Sequence, residues 1–160
     1  MIEIRILSVG KSKEKYWNDA CAEYAKRLSR YCRLSFTEVQ DEKTPDRASD
    51  AEELKIRQTE GARLLKQIRE QDFVIALAIE GEMPDSEQLS RRISGWMVSG
   101  KSSLVFVIGG SLGLSPEVLK RADVLLSFSR MTFPHQMMRV ILLEQIYRSF
   151  RIMNHEPYHK

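Results

Sequence analysis

The stretch Leu104-Val105-Phe106-Val107-Ile108-Gly109-Gly110-Ser111-Leu112-Gly113-Leu114-Ser115-Pro116-Glu117 decides the fold class. Its first five residues are apolar without alternation, as in a strand covered on both faces. Glycines follow, where the backbone can adopt positive φ or approach a ligand closely. Ser115, Pro116 and Glu117 then supply an N-cap, a proline at the first helical position and an acid in the first turn. Phe73–Ile79 is a second apolar run of strand length. Two strands buried on both sides require helices on both sides.

Working outward, strand and helix alternate throughout. Ile2–Val9 reads as a strand, Glu14 to about Tyr31 as a helix, and Leu34–Val39 as a short strand. Ser49 with Glu52 forms a capping box that opens a helix to about Glu70, and Asp85 with Gln88 opens another to about Val98. Val124–Phe128 is a last strand, and a helix follows Pro134 to about Arg151. The pattern predicts an α/β fold, a mostly parallel sheet with helices on both faces. A chain of 160 residues without a linker or repeat predicts one domain spanning 1–160.

The last helix carries Met137, Met138, Val140, Ile141, Leu142, Leu143, Ile146, Tyr147 and Phe150. Apolar on nearly all sides, it must be buried on nearly all sides. A two-fold homodimer would supply the second surface; a central core helix would satisfy the same pattern.

Apolar residues are 42% and charged residues 29%, too apolar for a disordered chain. The longest apolar run is far short of the roughly 20 residues of a membrane span. Met1–Arg5 lacks the pattern of a signal peptide, so a cytoplasmic protein without membrane contact is expected. Cys21 and Cys32, placed on one helix, would lie too far apart to bridge and are expected to be reduced thiols. The formal net charge of +3 hides an asymmetry. Residues 11–33 and 120–160 each hold seven Lys/Arg against three Asp/Glu, around an acidic middle. If the ends meet they form a face suited to phosphate backbones; a solvated scatter fits the counts equally.

Gly95-Trp96-Met97-Val98-Ser99-Gly100-Lys101-Ser102 matches the phosphate-loop pattern formally. That chemistry needs a strand before the loop and a helix after it, and here the order is inverted. A nucleotide triphosphatase remains a rival reading, tested by the loss of ATP binding on Lys101→Ala. No G-x-G-x-x-G follows the first strand, which argues against a dinucleotide enzyme. His155 and His159 flank Pro157, no thiol or acid cluster has ligand spacing, and no metal site is expected.

The segment Ser127-Phe128-Ser129-Arg130-Met131-Thr132-Phe133-Pro134-His135-Gln136 passes from a strand into a polar and aromatic loop and then a helix. Carboxyl ends of strands are where open α/β sheets bind ligands. Ser129, Thr132 and backbone amides there could hold a flat polar heterocycle, with Arg130, His135 and Arg139 close by. An ordinary capped helix with solvated charges would fit too.

Taken together, Gly109–Leu114, Leu126–Val140, Leu143–Arg148, the ending Tyr158-His159-Lys160 and the start Val9-Gly10-Lys11 with Lys15-Tyr16-Trp17 resemble the SPOUT-type ribosomal RNA large-subunit methyltransferase H family over the whole chain. The resemblance implies S-adenosylmethionine-dependent methylation of N3 of a pseudouridine in a large-subunit rRNA stem-loop, with the assembled ribosome as substrate. It also implies a homodimer and a C-terminal trefoil knot, which pattern reading alone would not give. Carried over by position, the cofactor contacts would be Leu77, Gly109, Phe128, Ser129, Arg130, Met131, Thr132 and Phe133. Candidates for handling the N3 proton are His135, Arg139 and His159, with Tyr158 holding the base and the tail reaching the partner's site. A second rival is a non-catalytic ribosome-binding factor, told apart by the absence of methyl transfer.

Overall fold

The computed structural model describes residues 1–160. Five strands and five helices alternate: β1 (Glu3–Val9), α1 (Lys15–Leu28), β2 (Arg33–Val39), α2 (Asp50–Leu65), β3 (Phe73–Glu82), α3 (Ser86–Val98), β4 (Ser103–Ile108), α4 (Pro116–Arg121), β5 (Val124–Leu126) and α5 (His135–Met153). They form one sheet in the order β2-β1-β4-β3-β5, and every pairing is parallel.

Period-two alternation sends each strand's side chains to two cores. Ile4, Ile6, Ile75, Leu104 and Phe106 face a larger cluster completed by Leu28 of α1, Leu89 and Ile93 of α3, and Leu142, Leu143, Ile146 and Phe150 of α5. Leu7, Val74, Ala76, Val105 and Val107 face a smaller one closed by Leu64 of α2 and Val118 of α4. Six of six β4 residues are buried, which is why its sequence is apolar without alternation. The capping boxes at Ser49 and Asp85 both form, and Ser115 caps α4.

Several boundaries differ from the sequence reading. α1 ends at Leu28, so Cys32 sits beyond the helix, buried before β2; both thiols are free. α2 stops at Leu65, and residues 66–72 turn to place Asp72. This carboxylate is buried and accepts hydrogen bonds from the Arg5 guanidinium (2.8 Å), the Arg69 backbone N–H (2.7 Å) and the Ser103 hydroxyl (3.0 Å). It ties together the amino ends of β1, β3 and β4. β3 runs on through Glu80-Gly81-Glu82, with a bulge between Leu77 and Glu82 that lets both residues pair with Leu126 of β5. Gly81 makes this possible, because a Cβ there would stand 2.6 Å from the Leu125 backbone. β5 accordingly stops at Leu126, short of Phe128.

The last helix is central on its face, packed between α1 and α3, while Met137, Met138, Val140 and Ile141 stay half-buried. The chain's end packs back on α5. Tyr158 packs edge-on against Tyr147 and under the Arg148 guanidinium, and its hydroxyl donates to Glu144 at 3.0 Å. The two basic segments do meet, since α1 lies against α5, but much of their charge is neutralised. Arg139, Arg148 and Arg151 pair with Glu38, Glu144 and Glu156. Gly95 lies inside α3, and Gly100 (φ +93°) turns the chain into β4. The Lys101 ammonium lies over the Phe73 ring. The phosphate-loop look-alike is therefore a helix exit at the amino end of the sheet. No helix is long and apolar enough to cross a membrane.

Candidate functional site

At the carboxyl ends of β3, β4 and β5 lies a cleft of about 560 Å³. Leu77, just before the β3 bulge, and Ile108 and Leu126, the last residues of β4 and β5, form an apolar floor. The loop after β4 supplies one wall. Gly110 bridges back to Gly113 (φ +84°), and a Cβ on Gly109 would stand 2.9 Å from the Gly113 backbone. Only glycine lets this loop fold so tightly on itself. Behind it, Glu60 of α2 is buried, and one carboxylate oxygen accepts the Glu42 N–H at 3.0 Å while the other has no partner. Burial pushes its pKa up. A Cβ on Gly110 would stand 3.2 Å from that free oxygen.

The loop after β5 supplies the opposite wall through Phe128, Ser129, Met131, Thr132 and Phe133. It is braced from within. The Ser127 hydroxyl donates to the Ser129 carbonyl at 3.1 Å, and the Ser129 hydroxyl accepts the Met131 N–H at 2.9 Å. His135, the first residue of α5, completes the rim with Met138. Burial, and then the charge of Arg139, lower the His135 pKa, so its imidazole is neutral at pH 7.

Seven of the eight expected cofactor contacts thus line one cleft. Arg130 does not: it is exposed and lies outside the lining. Arg139 also needs correction as a candidate for handling a proton. Its guanidinium is buried, 4% exposed, and donates to the Gly10 carbonyl at 2.6 Å and to Glu38 at 2.5 Å. A cation so committed holds structure and has no open face for a substrate. Tyr158 and His159 lie away from the cleft of their own chain, on the α3–α5 side. His159 sits 3.2 Å from Arg148 and 3.7 Å from Glu87. Burial and the Glu144 hydrogen bond push the Tyr158 phenol up to about 12, which keeps it a hydrogen-bond donor.

Sequence reasoning missed Arg57, whose side chain reaches the cleft from α2. No local signal marks it; only the packing of α2 beside α4 brings it there. The lining otherwise combines the backbone of the two loops and apolar side chains with Ser111, Ser129 and Thr132 hydroxyls, the His135 imidazole, one carboxylate, Glu80, and one guanidinium. Such a lining suits a flat heterocycle read along its edge, and it lacks the cation cluster a polyphosphate requires. No three His, Cys, Asp or Glu side chains are grouped as a metal site would need.

Residues 2–159 match the family described as "Predicted SPOUT methyltransferase". The chain is 60% identical over 159 residues to the ribosomal RNA large subunit methyltransferase H of Bifidobacterium adolescentis, covering 99% of this chain and 100% of that one. It is 58% identical over 159 residues to the protein of the same name from Clostridium kluyveri, with the same coverage. A solved structure described as "a probable methylase family protein from Haemophilus influenzae Rd KW20" superposes with a TM-score of 0.55 over 98% of this chain and 70% of that one. At 14% identity this last likeness speaks for the fold alone.

Proposed function

This chain belongs to the SPOUT methyltransferase family, and on that premise we propose that it methylates N3 of a pseudouridine in large-subunit ribosomal RNA, using S-adenosylmethionine and acting on the assembled ribosome. The names of its relatives support the rRNA substrate. The observation that carries the reading is the convergence of three strand-end loops on one cleft with an apolar floor and backbone-rich walls.

Leu77, Gly109, Phe128, Ser129, Met131, Thr132 and Phe133 hold the methyl donor. Backbone groups of the 109–113 and 128–133 loops read the adenine edge while Leu77 and the neighbouring apolar side chains flank its faces. Held by these residues, the donor would supply a methyl group made electrophilic by its sulfonium, with a neutral thioether as the leaving group. The protein's task is alignment and exclusion of water. His135, neutral and at the rim, accepts the proton that leaves N3.

The whole of 1–160 works as one methyltransferase domain, with a trefoil knot in its C-terminal third and a two-fold homodimer as the working form. The half-buried row Met137, Met138, Val140 and Ile141 supports a dimer face on α5. The tail packs on α5, so a partner docked there would receive Tyr158 and His159 at its own cleft. Transfer of labelled methyl from S-adenosylmethionine to intact ribosomes tests the reading. Incorporation into large-subunit rRNA supports it. Ribosome binding without incorporation would instead make the chain a non-catalytic binding factor.

A further inference from the structure

The His135 imidazole that closes the strand-end cleft on one side is also the wall of a second cleft on its other side. That second cleft, of about 610 Å³, lies at the carboxyl ends of β1 and β2 and contains Gly10, Lys11, Lys13, Glu38, Asp41 and Gln136 among its lining. Nothing in the family match assigns it a role. Its position matters, because a methyl acceptor must reach the donor from an adjoining space, and His135 is common to both clefts.

The walls are built for a charged, hydrogen-bonding guest. α1 and α5 both begin here, at Glu14 and at His135-Gln136. Neither helix has a side chain capping its first turn, so free backbone N–H groups and the positive ends of two helices of 14 and 19 residues border the space. Lys11 and Lys13 are exposed, and neither ammonium has an ion-pair partner within the chain. Beneath them the buried Arg139 guanidinium donates to the Val9 and Gly10 carbonyls and to Glu38, and its Nε has no partner. Glu38 is thereby neutralised and also accepts the Ser12 N–H at 3.0 Å. Two carboxylates, Glu14 and Asp41, remain free at the rim. Gly10, at φ +85°, occupies a conformation that side chains rarely adopt. The bare turn lets a guest approach His135, whose Nε2 lies 3.6 Å from where a Cβ would stand.

Building on the methyltransferase reading, we infer that this second cleft seats the acceptor nucleotide of a single-stranded RNA segment, with Lys11, Lys13 and the two helix ends on its phosphates and its base edge turned toward His135. Cations and helix amino ends attract phosphate oxygens. Glu14 and Asp41 accept hydrogen bonds from donors that RNA offers and phosphate does not, above all the 2′-hydroxyl. The mixture of free ammonium and free carboxylate therefore fits a nucleotide better than an isolated anion. Arg139 is a positioning residue in this arrangement: it fixes the Gly10 turn and Glu38 one helical turn from His135.

The test uses the full chain and 70S ribosomes lacking the modification. The double variant Lys11→Ala, Lys13→Ala is compared with Lys66→Ala, Lys120→Ala, a charge-matched pair on exposed positions outside both clefts. The first pair is expected to raise the ribosome KM at least tenfold, with kcat within about threefold and S-adenosylmethionine affinity unchanged; the second pair moves none of these. A photoreactive residue replacing Lys13 is expected to crosslink to large-subunit rRNA. An unchanged KM in the Lys11, Lys13 variant overturns the inference and leaves the methyltransferase reading standing. Crosslinks only to a second copy of the chain also overturn it, since a partner would then fill the cleft. Should the wild type transfer no methyl, ribosome binding by cosedimentation decides: loss of binding in the Lys11, Lys13 variant keeps the cleft as an RNA site while the methyltransferase reading falls, and retained binding removes both.

Discussion

Gly109 shows what a single missing side chain does. With the Gly113 backbone 2.9 Å from any Cβ, Gly109→Ala must push the loop open. We expect at least a tenfold loss of S-adenosylmethionine affinity by calorimetry, with a small change in melting temperature because the loop lies outside both hydrophobic clusters. His135 gives a pH prediction. Its pKa is lowered from the ordinary value near 6.5, so the imidazole is neutral, and able to accept a proton, throughout the neutral range. Activity should stay flat near pH 7 and fall only as pH drops below the ordinary histidine value. His135→Gln should lower kcat by about 10²-fold and abolish that acid limb in kcat/KM profiles; an unchanged limb would assign the proton to another group. His135 and the Phe128–Phe133 loop were legible from the motif, because their spacing after a strand end is written locally. Arg57 was not, since its place depends on helix packing. Arg139 was legible as a residue near the site but not as a buried one, because Glu38 lies 101 residues away in sequence.

At the scale of elements, the caps at Ser49, Asp85 and Ser115 were readable because they satisfy backbone N–H groups within three residues. What could not be read is set by long-range contacts. β3 continues through two glutamates because Gly81 nests on β5 and Ser127 donates its N–H to the Glu82 carbonyl at 2.8 Å. The end of α2 is set by Asp72, whose buried carboxylate joins three strand starts. Burial alone would raise its pKa, but hydrogen bonds from Arg69 and Ser103 outweigh it and hold it below the usual carboxylate range. Stability from this group is therefore present above the unfolded value near 3.9 and is lost as pH falls through the lower folded value. Asp72→Ala leaves Arg5, whose side chain is only 13% exposed, without its partner and should cost about 3 kcal/mol by urea denaturation at pH 7. The difference from wild type should shrink in strong acid; a constant gap down to pH 2 would contradict the linkage.

For the molecule as a whole, the parallel sheet with helices on both faces follows from two apolar strands and the alternation around them. The strand order does not, because nothing local says that β4 enters between β1 and β3. The docking of the tail was likewise invisible, since Tyr158 finds Glu144 and Tyr147 only once α5 is in place. Removal of Tyr158–Lys160 is expected to spare S-adenosylmethionine binding and abolish methyl transfer. Mixing this truncated chain with a His135→Gln chain should restore activity in mixed dimers if each cleft is completed by its twin, and full activity of the truncated chain alone would refute the composite site. The most direct measurement is mass mapping of large-subunit rRNA from cells lacking this protein. One methyl group should be missing from one pseudouridine, restored by the intact gene and not by the Gly109→Ala form; an rRNA mass map unchanged by the protein's absence would rule out this role.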